Sequence, residues 1–254
     1  MPDHLPDRGA TAAETIWIIG ASDGIGAALA REYARRGARL VLSARSEDRL
    51  EALAESLGPG HIVVPLDVAD RDSVVAAADR VALLGPIDRV ITLAALYDPG
   101  KVTALDPGMA AKIVAVNLTG SFHVAQAAVP LLRPGGQLVL TGSVAGYVGL
   151  PRGQIYSATK AGVINLAESL RAELAGRVDV RLVNPGFVDT RLTGKNDFTM
   201  PALLDPAEAA VAIAEGLDRK AFEIHFPRRL TLALKLLRAL PYRAALPLTA
   251  RLVR

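Results

Sequence analysis

Tyr156 and Lys160 stand four residues apart in the run Tyr-Ser-Ala-Thr-Lys, and Ser143 lies thirteen residues upstream. At i and i+4 of a helix the two side chains share one face, one turn apart. An ordinary phenol, with a pKa of about 10, does little acid/base chemistry at neutral pH. An ammonium held beside it favours the phenolate and would move the tyrosine toward general acid/base work. Ser143 closes the apolar run that begins at Gln137, which reads as a strand entering a loop. Its hydroxyl could hydrogen-bond a carbonyl oxygen beside the tyrosine. Tyr-x-x-x-Lys also arises by chance in many helices. The three residues carry weight only if the rest of the chain brings them together.

The apolar run Thr15-Ile-Trp-Ile-Ile19 predicts a strand, followed at once by Gly20-Ala-Ser-Asp-Gly24-Ile-Gly26. Helical spacing of Leu29, Ala30, Tyr33 and Ala34 then runs to Arg36, and Gly37 stops it. Strand, glycine-rich turn and helix form the setting in which such glycines bind a dinucleotide. They let the backbone approach the pyrophosphate, which the helix N-terminus attracts. The spacing is G-x-x-x-G-x-G rather than G-x-G-x-x-G, and a glycine turn can also merely connect two elements. Arg39 to Ser43 predicts the second strand. An acid near its end would suit the ribose hydroxyls of NAD(H), and a base the 2′-phosphate of NADP(H). Here Arg45 follows and no acid occurs before Glu47, which favours NADP(H) over NAD(H). The alternative for Arg45 is a solvent-facing place at the start of a helix over 46–57, capped by Ser46. Asp23 opposes phosphate binding unless it faces away.

Further along, His61 to Val68 predicts a third strand with Asp67 at its end, where a carboxylate could accept from adenine. A helix follows from Asp70 or Asp72 to Leu84, then a fourth strand over 88–93 leading into Ala94-Ala95. A long helix from about 107 to 132 carries Asn117 among Ile113, Val114, Val116 and Leu118. If buried, that amide needs partners; a helix bend or an exposed place is the alternative. A fifth strand follows Gly135-Gly136, and Gly142 and Gly146 leave room around Ser143. The helix of Tyr156 runs to about Ala175, with strands over 178–183 and 221–226 and a helix over 207–217 between them. This alternation predicts an α/β fold, a doubly wound parallel (Rossmann) sheet of about seven strands with helices on both faces. Ligands then bind at the carboxyl ends of the strands. Residues 190–206 read as a lid. Its Phe198, Met200, Leu203 and Leu204, with Tyr147, Val148 and Leu150, point to a largely hydrophobic substrate.

A chain of 254 residues can bury a substantial single core. It contains no cysteine, which excludes disulfides and thiolate metal sites, and its four histidines share no ligand spacing. The expected organisation is a disordered segment over 1–14, a dinucleotide-binding and catalytic domain over 15–226, and a basic amphipathic tail over 227–254. No apolar stretch is long enough to span a membrane, so a cytoplasmic place is the default. The tail holds the charge. From Ile224 onward there are seven Lys/Arg and no Asp/Glu, against 22 basic and 26 acidic residues before it. Arg229 to Leu240 predicts a short amphipathic helix ended by Pro241, with Pro247 breaking up the remainder. It could pack on the body, meet a second subunit, or lie peripherally on an anionic membrane surface. Nucleic-acid binding is disfavoured, because the charges lack the interleaved aromatics of a stacking surface.

Together these residues resemble the short-chain dehydrogenase/reductase family in its single-domain branch, over roughly residues 15–226. The resemblance rests on Gly20-x-x-x-Gly24-Ile-Gly26, Asp67, Asn117, Ser143, Tyr156-x-x-x-Lys160 and Pro185-Gly186-x-Val188-x-Thr190, in order and at compatible spacings. It implies hydride transfer between a nicotinamide cofactor and a carbonyl/alcohol pair, often in a homo-oligomer. It further implies Tyr156 as acid/base, Lys160 lowering its pKa and binding ribose, Ser143 orienting the oxygen, and Asn117 supporting a proton relay. Gly20, Ser22 and Ile25 would touch the phosphate and ribose side, Arg45 the 2′-phosphate, and Asp67 and Val68 the adenine. Pro185, Gly186, Val188 and Thr190 would line the nicotinamide and pyrophosphate. Two departures stand out. Ile19 replaces a usual threonine, and Thr92-Leu93-Ala94-Ala95 replaces Asn-Asn-Ala-Gly, whose asparagines tie strands together. A non-catalytic dinucleotide-binding module, or a membrane-surface protein led by its tail, are the rival readings.

Overall fold

The computed structural model describes residues 13–251. The segment expected to be disordered, 1–14, lies outside the described residues except for its last two. Of these, Glu14 accepts a backbone hydrogen bond from Arg39 at 2.8 Å and pairs with Arg89 at 3.2 Å.

Seven strands form one parallel sheet: β1 (Thr15–Ile19), β2 (Arg39–Ser43), β3 (Ile62–Val63), β4 (Ile87–Thr92), β5 (Leu132–Thr141), β6 (Asp179–Pro185) and β7 (Glu223–Phe226). Their order is β3-β2-β1-β4-β5-β6-β7. The winding reverses between β1 and β4, which opens a crevice at the carboxyl ends of those strands. Alternation along each strand feeds two cores. Ile16 and Ile18 join Leu29, Tyr33, Leu50 and Ile213 under α1 (Gly24–Arg35), α2 (Glu47–Leu57) and α7 (Pro206–Leu217). Trp17 and Ile19 face the opposite way. They join Val74, Val124, Leu138 and Val163 under α3 (Arg71–Ala82), α5 (Gly120–Ala128) and α6 (Gln154–Glu173). Each such aliphatic side chain contributes about 1.5–3 kcal/mol by leaving water. The two layers clamp the sheet and fix the crevice.

Trp17 Nε1 donates to Ser43 Oγ at 2.8 Å, and Ser43 Oγ donates to the Val64 carbonyl at 2.6 Å. Ser43 is thus committed to the sheet. The residues after it, Arg45 and Ser46, are the ones left to face the crevice.

Several expectations are corrected. The third strand is two residues long, not eight, because Pro65 has no N–H for the ladder. Val64 and Leu66 still donate to Leu42 and Ala44 at 3.0 and 3.1 Å. The single helix over 107–132 divides into α4 (Pro107–Val114), a wide π turn (Ala115–Thr119) and α5, and Pro130 lies in the 3-10 turn that closes it. The fifth strand starts at Leu132 rather than after the glycines, and its register against β4 shifts across Gly135-Gly136. Ser46 stands at the N-cap of α2 without a side-chain bond. The seventh strand begins at Glu223. The tail forms α8 (Arg228–Ala239) and α9 (Tyr242–Arg251), and α9 runs through Pro247. The carbonyl that Pro247 leaves without a donor is that of Arg243, in the exposed first turn, where water serves.

Candidate active site

A cleft of about 710 Å³ opens at the carboxyl ends of the strands, within the usual range for a small-molecule site. Its floor is the glycine loop between β1 and α1. Gly20 has φ +91°, and a Cβ there would lie 2.5 Å from the Ala94 nitrogen. At Gly26 a Cβ would lie 2.0 Å from the Gly20 carbonyl oxygen. Loop, helix and β4 therefore pass each other as bare backbone. Ser22, Gly24 and Ile25 complete this wall. Asp67 and Val68 line the β3 side, Ala94 the β4 side, and Pro185, Gly186, Val188 and Thr190 the far side.

Asp23 does not oppose an anion as its charge alone suggests. It caps α1 by accepting from Gly24 N at 2.8 Å, and it pairs with Arg191 at 3.0 Å and Arg49 at 3.6 Å. Arg45 is exposed, lines the same rim, and makes no ion pair among the described residues. Two guanidiniums therefore share one carboxylate, and Arg45 and Ser46 line the same cleft, a donor set suited to phosphate. Arg49 and Arg191 had no local signal in the sequence; α2 and the segment after β6 bring them together.

Ser143, Tyr156 and Lys160 share one wall of the cleft. Lys160 is buried on α6 and its Nζ donates to the Thr141 carbonyl at 2.8 Å. The same Nζ lies 5.7 Å from the centroid of the Tyr156 ring. Burial pushes the Lys160 amine down to about 8. The phenol of Tyr156 is pushed up to about 12, first by burial, with the Ser143 hydroxyl acting the other way and Tyr97 adding to the rise. The expected lowering by Lys160 is thus absent from this arrangement, because the amine is turned to a strand carbonyl. At neutral pH the phenol holds its proton. Thr141 Oγ1, also at the cleft, is buried without a partner and offers a hydrogen bond to a bound group.

Asn117 is fully buried and does not line the cleft. Its Oδ1 accepts from Leu96 N at 2.7 Å, while Nδ2 donates to the Leu96 carbonyl at 2.9 Å and to Thr159 Oγ1 at 3.2 Å. Thr159 lies between Tyr156 and Lys160 on α6, so the amide ties the β4 loop to the helix carrying both. Its own carbonyl accepts from Ser121 Oγ at 2.7 Å. The Asn117 side chain is thus committed to positioning the β4 loop against α6. The π turn that presents it is a feature frequent at functional sites.

Two other expectations change. Phe198, Met200, Leu203 and Leu204 do not line the cleft. Phe198 packs edge-on against Phe187 with centroids 5.8 Å apart, and Leu204 bridges to Val188 and packs on the core. Tyr147 turns beneath α8, and Val148 packs with it. The apolar lining near the tyrosine comes instead from Leu96, Tyr97, Val116 and Leu192. The Tyr97 ring meets Tyr156 edge-on at 4.8 Å. It is held by Tyr97 Oη donating to Asn196 Oδ1 at 2.8 Å and by Lys195 Nζ donating to the Tyr97 carbonyl at 2.9 Å. The segment 190–206 is fastened further by Arg152, whose guanidinium grips Asp197 at 2.7 and 2.8 Å. Thr92, standing where a strand-tying asparagine was expected, does that work: its hydroxyl donates to the Val139 carbonyl at 3.2 Å.

Glu223, at the start of β7, is a hub. It accepts from Tyr147 Oη, from Asn184 Nδ2 at 2.7 Å, and from Lys235 Nζ of α8.

The family model described as short chain dehydrogenase matches residues 14–200. An 11-beta-hydroxysteroid dehydrogenase-like 4A of Arabidopsis thaliana is 34% identical over 225 residues, covering 81% of this chain and 74% of its own. An alcohol dehydrogenase from Thermococcus sibiricus, solved with 5-hydroxy-NADP, superposes with a TM-score of 0.79 at 31% identity, over 85% of this chain and 96% of that one. A short chain dehydrogenase/reductase from Burkholderia phymatum, solved with NAD, shares the fold at a TM-score of 0.81 and 24% identity, over 88% and 92% of the two chains. With the crevice, the glycine loop and the Ser143–Tyr156–Lys160 wall already in place, these likenesses show that the chain belongs to the short chain dehydrogenase family of oxidoreductases.

Proposed function

We propose that the protein is an NADP(H)-dependent oxidoreductase of a carbonyl/alcohol pair, with Tyr156 as its acid/base. The observation that carries this reading is one cleft with a protonated phenol, a serine hydroxyl and a buried amine on one wall and an arginine rim on another. A nicotinamide dinucleotide bound there would supply or take up the hydride. The glycine loop and the N-terminus of α1 would hold its pyrophosphate, Arg45 with Arg49 a 2′-phosphate, and Asp67 the adenine.

In the direction of reduction, Tyr156 gives its proton to the carbonyl oxygen as negative charge develops there, and Ser143 Oγ orients that oxygen by a hydrogen bond. The phenol, pushed up to about 12, holds its proton at neutral pH and so starts in the form that reduction requires. The phenolate left behind needs a nearby cation, and Lys160 supplies it while protonated, below about pH 8. The Tyr97, Leu96 and Leu192 lining favours an apolar group next to the carbonyl. Support for an apolar substrate also comes from the hydroxysteroid dehydrogenase-like relative.

The test is a panel of aliphatic, alicyclic and steroidal ketones with NADPH and with NADH, following loss of nicotinamide absorbance. Turnover of at least one ketone, faster with NADPH, is expected. Tight NADPH binding with no turnover across the panel would support the non-catalytic module instead.

A further inference from the structure

The tail helix α8 faces two ways. Its inner side is seated: Thr231 and Leu234 are buried, Leu234 packs with Val144 and Tyr147, and Arg238 Nη1 donates to the Tyr147 carbonyl at 2.7 Å. Its outer side carries Leu232 and Leu236, one turn apart and 56% and 69% exposed. Arg228 and Arg229 stand one turn before Leu232. On α9, Tyr242, Leu246 and Leu248 are also exposed, beside Arg243.

Single exposed leucines are ordinary, but clustering is not. Residues 232–248 hold five of the large apolar side chains that are exposed, whereas the other eight are scattered over 75–211. Arg228, Arg229 and Arg243 make no ion pair among the described residues, and no acid occurs from Ile224 to the C-terminus. The outward side of α8 and the exposed residues of α9 are therefore apolar and cationic, with no acid among them.

We propose that the outer face of α8 and α9 docks the protein on an anionic lipid surface. The charge pattern selects this occupant. A second copy packed about a two-fold axis would lay the same cationic face against itself, with no carboxylate to relieve it. A nucleic acid would satisfy the arginines but leave the leucines in water. A bilayer boundary meets both, with leucines entering the acyl edge and arginines reaching headgroup phosphates. Helix α8 spans about 18 Å at 1.5 Å per residue and is too short to cross, so it lies in the plane. No helix among the described residues is long and apolar enough to cross a membrane. Docking through α8 also fixes the orientation of the body, because Pro227 and Leu230 press on Gly186 in the cleft wall. The proposal does not depend on the reaction assigned above.

The experiment is co-sedimentation of the full chain with sucrose-loaded vesicles, either phosphatidylcholine alone or with about 30% phosphatidylglycerol. Binding to the anionic vesicles is expected to be at least about tenfold tighter than to neutral ones, and to weaken as salt shortens the Debye length. The double variants L232S/L236S and R228E/R229E alter only outward side chains. Each is expected to lower binding about tenfold or more, with the melting temperature and circular dichroism of the parent retained. Absence of the parent from anionic vesicles would overturn the proposal, as would variants that sediment like the parent. A parent dimer by light scattering that L232S/L236S converts to monomer would give the face to a second copy and equally overturn it.

Discussion

The two ends of the sheet use charge in opposite ways. At the amino ends of the strands, arginines are paired with carboxylates of the chain itself. Arg89, 2% exposed, pairs with Asp218 at 2.8 Å and Glu14 at 3.2 Å, while Arg36 reaches Asp218 and Glu32. Arg181 is gripped by Asp179 at 2.8 Å and caps the carbonyls of Arg219 and Ala221. At the carboxyl ends, Arg45 is unpaired among the described residues, Arg49 and Arg191 share one carboxylate, and a threonine hydroxyl lacks a partner. At one end the charges are largely matched within the chain; at the other, cations and a hydroxyl are only partly matched. Buried ion pairs hold geometry but leave nothing over for binding, so stability and chemistry separate along the strand axis.

That contrast can be broken most severely at Tyr156. The variant Tyr156→Phe should lower kcat about a thousandfold or more, with NADPH affinity and melting temperature close to the parent. An unchanged rate would remove the tyrosine from the mechanism. At the opposite end, the double variant Glu14→Gln/Asp218→Asn leaves Arg89 without its anions. About 3 kcal/mol of unfolding free energy should be lost in urea titration, with cofactor affinity unaltered. A matching loss of cofactor affinity would show that the two ends are not independent. Next, Arg45→Ala should weaken NADPH about tenfold to a hundredfold by fluorescence titration while NADH changes little. Equal losses would mean that Arg45 does not meet the phosphate. The smallest expected effect is with pH. Lys160, held near 8 by burial, loses its charge as pH rises through that value. The rate of ketone reduction should therefore decline above about pH 8, roughly tenfold by pH 9. A flat profile to pH 10 would detach the amine from catalysis.

Much of this was legible before any coordinates, and the reasons are local. Tyr156 and Lys160 are one helical turn apart, and the glycines of the first loop are contiguous with the strand and helix they join. Alternation along β1 already separates Ile16 and Ile18 from Trp17 and Ile19. What escaped notice depends on chain folding over long separations. Arg191 meets Asp23 across more than half the sequence, and Tyr97 meets the Tyr156 ring from the loop after β4. The pKa of the phenol likewise depends on contacts that spacing alone does not show. Spacing brings an amine onto the same face, but not the carbonyl of Thr141 that the amine turns to instead. Apolar residues of the 190–206 segment looked like a substrate lining because sequence cannot distinguish a side chain facing the cleft from one sealing the loop to the core.

The Glu223 hub has a practical corollary for anyone reshaping this protein. A chain cut at Pro227 loses Lys235, and with it the counter-charge of a carboxylate that also steadies Tyr147 beyond Ser143 and Asn184 just ahead of Pro185. Shortened forms would thus be sluggish for want of a scaffold strut, even in a test tube free of lipid. Trimming the tail would therefore disturb the neighbourhood of Ser143 and Pro185 along with the exposed side of α8.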